Sequence, residues 1–146
     1  MKEFRSRTDK FFLVKVLVER VQEDGLAKKV VERYAINAID WAEAQHRTTA
    51  YMVGVDMEIT DIRPATFSEI IFSDETTEKW FIAKLDFVTM SDSGKEKKTP
   101  HSILVPADTL DQASKNIETL MQTSMQDYTK IKVEESDILE VIEVTD

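Results

Sequence analysis

The sequence predicts an α+β protein: one β-β-α-β unit written twice, forming an antiparallel sheet with two helices packed on one face about a pseudo-twofold axis. Three observations predict it. A shift of 69 positions, the spacing of Phe12 and Phe81, aligns the halves without a gap: Lys15 falls on Lys84, Gly25 on Gly94, Lys28-Lys29 on Lys97-Lys98, Ala38 on Ala107, Ala44 on Ala113 and Met52 on Met121. Each half opens with two runs rich in β-branched and aromatic residues, joined by a turn that ends in glycine. Each then runs into a capped stretch with apolar residues at helical spacing.

In the first half, Phe11–Val21 reads as a strand with Phe12, Val14, Val16 and Val18 on one face. Phe11, Leu13, Lys15, Leu17 and Glu19 take the other face. Gln22-Glu23-Asp24-Gly25 is a hairpin turn, because Asp-Gly reaches positive φ at little cost. Ala27–Ile36 is the return strand. Asp40 caps a helix, with Glu43 at capping-box spacing, and Trp41, Ala44, Thr48, Tyr51, Met52 and Val55 form its buried stripe. Gly54 ends the helix, and Met57–Arg63 is a third strand closed by Pro64. Phe67–Phe72 is either a fourth strand or a helical turn.

The second half repeats this order. Trp80–Met90 is a strand, Ser91-Asp92-Ser93-Gly94 a turn, and Lys95–Val105 the return, where Pro100 marks an edge or a bulge. Thr109 caps a second helix with the stripe Leu110, Ala113, Ile117, Leu120, Met121 and Ser124; Tyr128–Val133 and Ile138–Val144 follow as strands. The domain organisation is therefore a flexible arm over 1–10, a first repeat over 11–73, a connector over 74–79 and a second repeat over 80–146. Each repeat, at roughly 65 residues, buries only a marginal core by itself, so the two are expected to form one globular domain.

Composition narrows the function. The absence of cysteine excludes disulfides, thiolate metal sites and a cysteine nucleophile. No apolar run reaches a membrane-spanning length and no signal-peptide pattern opens the chain, so a cytoplasmic protein without membrane contact is expected. A net charge of −9 opposes non-specific attraction to nucleic acid. No phosphate loop, nucleophile elbow or His-Glu-x-x-His motif occurs, and His46 and His101 have no acidic residue at ligand spacing. A non-enzymatic protein with no metal and no cofactor is expected.

The phrases Trp80-Phe81-x-x-Lys84-Leu85-x-Phe87, Gly94-Lys95-Glu96-Lys97-Lys98-Thr99 and Leu104-Val105-x-Ala107-x-x-Leu110-x-x-Ala113, with Phe67-Ser68-Glu69 and Asp127-Tyr128, carry a resemblance. Over nearly its whole length the chain resembles a small family of unknown function from Bacteroidota and their phages and mobile elements. The resemblance implies that biological setting and no mechanism.

Binding is the function class left. The candidate partner- or nucleic-acid-binding residues are Lys15, Lys28, Lys29, Arg33, Trp80, Lys84, Lys95, Lys97 and Lys98. The first expectation is a protein–protein interaction module, a homodimer or a binder of another protein through its apolar sheet face or a strand edge. The alternative is an accessory single-stranded nucleic-acid-binding protein, with lysines following phosphates while Phe11, Tyr34 and Trp80 stack on bases. A nucleotide held between the repeats is the third.

Overall fold

In the computed structural model, which describes residues 3–145, the chain runs β1 (Phe4–Arg7), β2 (Phe11–Val21), β3 (Ala27–Asn37), α1 (Trp41–Tyr51), β4 (Met57–Pro64) and β5 (Glu69–Ser73). It continues with β6 (Lys79–Met90), β7 (Glu96–Ala107), α2 (Leu110–Gln122), β8 (Asp127–Glu135) and β9 (Ile138–Ile142). The architecture is mixed α+β with two sheets, ordered β1-β5-β7-β6-β8 and β4-β2-β3-β9. The single antiparallel sheet expected to carry both helices is thus replaced by two sheets with one helix each. Both sheets are mixed, because β5 lies parallel to β7 and β9 parallel to β3.

The chain divides into two compact units. The β2 unit holds Asp9–Ala65 and the chain from Asp137 on; the β6 unit holds the chain up to Thr8 and Thr66–Ser136. These differ from the boundaries read from sequence. Residues 1–10, expected as a flexible arm, contain β1, which pairs antiparallel with β5 from Phe4 opposite Ser73 to Arg7 opposite Ile70. A four-residue strand with alternating Arg and Ser carries little propensity signal, and its partner strand supplies the order.

In the β2 unit, Phe12, Val14, Val16 and Val18 pack with Tyr34 and Ile36 of β3, Ala38 just past it, Ala44 of α1, Met52 at its C-terminus and Ile142 of β9. The β6 unit is built alike from Phe81, Ala83 and Leu85, from Ile103, Val105 and Ala107, and from Ala113, Ile117 and Met121 of α2, with Ile71 of β5. Both helix caps form as expected: the Asp40 side chain accepts from the Glu43 N–H, and Thr109 from that of Gln112. The stripes are narrower than expected. Trp41, Tyr51 and Leu110 are about half exposed and Ser124 is exposed. One helix on a four- or five-stranded sheet needs only its central residues inside, and the end turns overhang.

The hairpin turns match in detail. Gly25 and Gly94 take φ of 82° and 81°, and their N–H groups donate to the carbonyls of Gln22 and Ser91, both at 2.9 Å. The outer strands β4 and β8 each carry a register shift, opposite Lys15/Val16 and Lys84/Leu85 respectively. Pro100 sits where β7 pairs with β6 but lies beyond its short pairing with β5 at Ile103 and Leu104, so its missing N–H costs no ladder bond. On the helix-free faces Phe11, Ala35, Ile70 and Leu104 are buried, whereas Leu13, Leu17, Trp80, Ile82 and Val88 are half-buried.

Candidate partner-binding cleft

On the helix-free face of the β2 unit, β2 places Lys15 directly opposite Arg33 of β3 and, on its other side, opposite Asp61 of β4. Leu13 lies opposite Arg63. These side chains, with Val14, Asp137 and Ile138, line a cleft of about 260 Å³. Three cations and two carboxylates therefore meet over an apolar floor in a chain whose net charge is −9.

Asp61 accepts from Arg63 Nε at 2.7 Å, and Asp137 lies 3.3 Å from Arg33 Nε. The Asp137 side chain is 70% exposed and that of Asp61 39%, so solvent screens these pairs in part and an incoming anion can replace them. The Lys15 amine makes no ion pair or hydrogen bond among the described residues, although Lys15 is half-buried. Like charges directly opposite one another on a sheet destabilise it, and Lys15 and Arg33 are such a pair. An anion bound between them would remove that repulsion.

The other residues singled out from sequence are scattered. Lys28, Lys29, Lys95, Lys97 and Lys98 are exposed at or beside hairpin ends, the first two in the β2 unit and the rest in the β6 unit. Lys84 lies opposite Lys132, and both face Glu134, at 3.9 and 3.0 Å. Trp80 packs edge-on against Phe72 with ring centroids 6.1 Å apart, and Arg5 caps the Phe72 ring at 4.4 Å. Phe11 and Tyr34 are buried. The open stacking platform expected of Phe11, Tyr34 and Trp80 does not form, because their strands turn two of the rings inward and commit the third to Phe72. Sequence reading missed Arg63 and Asp61; the only signal was their place beside Leu13 and Lys15 once strands are paired.

Three further polar clusters serve structure. Arg20 holds Glu32 through two of its guanidinium nitrogens, Nη2 at 2.9 Å and Nε at 3.2 Å, and Glu32 also accepts from the Tyr34 hydroxyl at 2.7 Å. The hydrogen bond from Arg20 holds the Glu32 carboxyl below its usual range against desolvation, and burial followed by the bond to Glu32 pushes the Tyr34 phenol up. On α1, burial and the bond to Glu140 push Tyr51 up to about 12. In the β6 unit His101, expected to lack an acidic partner, lies 3.0 Å from Glu69, which also accepts from the Ser6 hydroxyl. The His101 ring stacks on Phe87 at 4.3 Å. Strand pairing brings His101 and Glu69 together across 32 positions of sequence. No helix among the described residues is long and apolar enough to cross a membrane.

No curated protein and no solved structure matches the chain. A family model described as a domain of unknown function, DUF4494, matches residues 10–144, and the chain belongs to that family.

Proposed function

We propose that this chain is a non-catalytic protein–protein interaction module, built by internal duplication of a β-β-α-β unit, that holds an acidic segment of a partner in the β2-unit cleft. The observation that carries this reading is the convergence of Lys15, Arg33 and Arg63 on a cleft with apolar walls. A segment alternating carboxylate and aliphatic side chains fits both features: its acids meet the cations, and its aliphatic groups meet Leu13 and Ile138. Burial of Phe11 and Tyr34 and the scatter of the hairpin lysines favour a protein partner over single-stranded nucleic acid. A homodimer, an intracellular setting and a mobile-element origin belong to the same proposal, as does the absence of a cofactor.

Fluorescence anisotropy with two labelled probes at two salt concentrations tests it. An alternating glutamate–leucine peptide is expected to bind, more weakly at high salt, and to be lost in Lys15→Glu with Arg63→Glu. Lys97→Glu with Lys98→Glu should leave that binding intact. Peptide binding indifferent to the cleft substitutions overturns the site. A DNA oligomer that binds tighter than the peptide and depends on Lys28, Lys29, Lys97 and Lys98 puts the nucleic-acid alternative in its place.

A further inference from the structure

The last strands of the two halves sit where neither half's own sheet uses them. β5 spans Glu69–Ser73 and β9 spans Ile138–Ile142, so both bounds differ by the same 69 positions that relate the halves. β5 follows the first half yet pairs, parallel, with β7 of the second; β9 follows the second half yet pairs, parallel, with β3 of the first. β3 and β7 are themselves related by the 69-position shift.

Each donated strand is anchored in the sheet that receives it. Ile71 of β5 is part of the β6-unit core, and Ile142 of β9 part of the β2-unit core. Glu140 accepts from Tyr51 of α1 at 2.8 Å. Just past β9, Val144 is held by both side-chain atoms of Asn37, its N–H donating at 2.7 Å and its carbonyl accepting at 2.8 Å. The chain leaves both outer strands in the same way: the Ala65 N–H donates to the Phe11 carbonyl at 3.0 Å, and the Ser136 N–H to the Trp80 carbonyl at 2.9 Å. Phe11 and Trp80 are again 69 positions apart.

We infer that the edges of β3 and β7 are two copies of one strand-acceptor site, and that the partner this site fits is the last strand of another copy of the same module. Within this chain the opposite half supplies that strand. The inference rests on the duplication proposed above and is independent of the cleft. Parallel strand addition gives affinity through the backbone ladder and specificity through alternate side chains, here Glu140 and Ile142.

The test is to cut the intact protein once. A protease site inserted between Thr76 and Thr77, in the exposed connector, divides the chain into β1–β5 and β6–β9. The nicked protein is expected to run as one particle of uncut size in size-exclusion chromatography and to separate only in denaturant. Ile142→Asp, which places a carboxylate in the β2-unit core, is expected to weaken that association at least tenfold. Separation in native buffer into two folded monomers overturns the exchange and leaves the duplication standing, because each half then keeps its own strand. Separation into one folded and one unfolded piece overturns both. Association as tight in Ile142→Asp as in the parent also overturns the exchange.

Discussion

Arg47 and Asn116, at equivalent places on the two helices, make the same bond. Asn116 Nδ2 on α2 donates to the Pro106 carbonyl of β7 at 3.0 Å, and Arg47 on α1 donates to the Asn37 carbonyl of β3 at 2.7 Å. Donor and acceptor are each 69 positions apart between the halves. The bond satisfies the carbonyl at the end of the return strand, just before the chain turns into the helix. The two donors reach it differently. Asn116 is buried, whereas Arg47 is half-buried and also pairs with Glu43 at 3.3 Å.

Replacing Asn116 by Leu should leave that carbonyl without its donor inside the protein, at a cost of about 1–3 kcal/mol. Arg47→Leu should cost less, because the Arg47 side chain, 14% exposed, is less completely enclosed than Asn116. Urea unfolding of the two variants checks the order, and equal losses would mean that Asn116 is no better enclosed than Arg47.

Acid should weaken the β2 unit through Glu32. Its carboxyl titrates below the ordinary 4.5 in the folded chain because Arg20 donates to it. A depressed carboxyl contributes stability that is present above the unfolded pKa and lost as pH falls through the folded one. Melting temperature should therefore fall below about pH 4.5, and Glu32→Gln should flatten that limb while lowering stability at neutral pH. An unchanged acid limb in Glu32→Gln would show that other carboxylates carry it.

The alkaline limb runs the other way. Tyr51 is raised to about 12 by burial and by Glu140, so its contribution is complete below pH 10 and lost as pH climbs from 10 toward 12. Tyr34, raised by burial and by Glu32, adds to the same loss. Tyr51→Phe should keep stability flatter between pH 10 and 12 in circular-dichroism melts. A slope identical to the parent's would remove Tyr51 from the account.

Core and surface should separate sharply. Phe81→Ala empties a fully enclosed site and should cost about 3–5 kcal/mol. Trp80→Ala should cost less, roughly 2 kcal/mol, because that ring is half-buried and loses mainly its edge-on contact with Phe72. Lys97→Glu with Lys98→Glu should stay within about 0.5 kcal/mol, both residues being exposed. Chemical denaturation measures all three, and a Trp80 loss equal to that of Phe81 would place its ring in the core.

What was legible in the sequence was local. Alternation placed Phe12, Val14, Val16 and Val18 on the inner face of β2, and capping spacing placed Asp40 and Thr109 at the helix starts. Asp24-Gly25 and Ser93-Gly94 announced the turns, whose glycines need positive φ. Illegible were the choices that depend on a partner far away in sequence. Phe4–Arg7 has no pattern of its own and becomes a strand only against β5. Nothing in Ile138–Ile142 says that it will lie parallel to a strand a hundred residues earlier. The cleft depended on the same knowledge, since Lys15, Arg33 and Arg63 converge only once β2, β3 and β4 are in register.

The assignment of β9 to the β2 unit also fixes an order of events during synthesis. As the chain leaves the ribosome, β2, β3, α1 and β4 emerge early, and the edge of β3 must stay open until the whole of β6 to β8 has been made. An open strand edge is a template for pairing with other chains, and crowded copies on one messenger present several of them at once. The hairpin beside that edge ends in Lys28 and Lys29, charges that discourage such pairing while the edge waits. Slow decoding anywhere between Lys79 and Glu135 lengthens the wait.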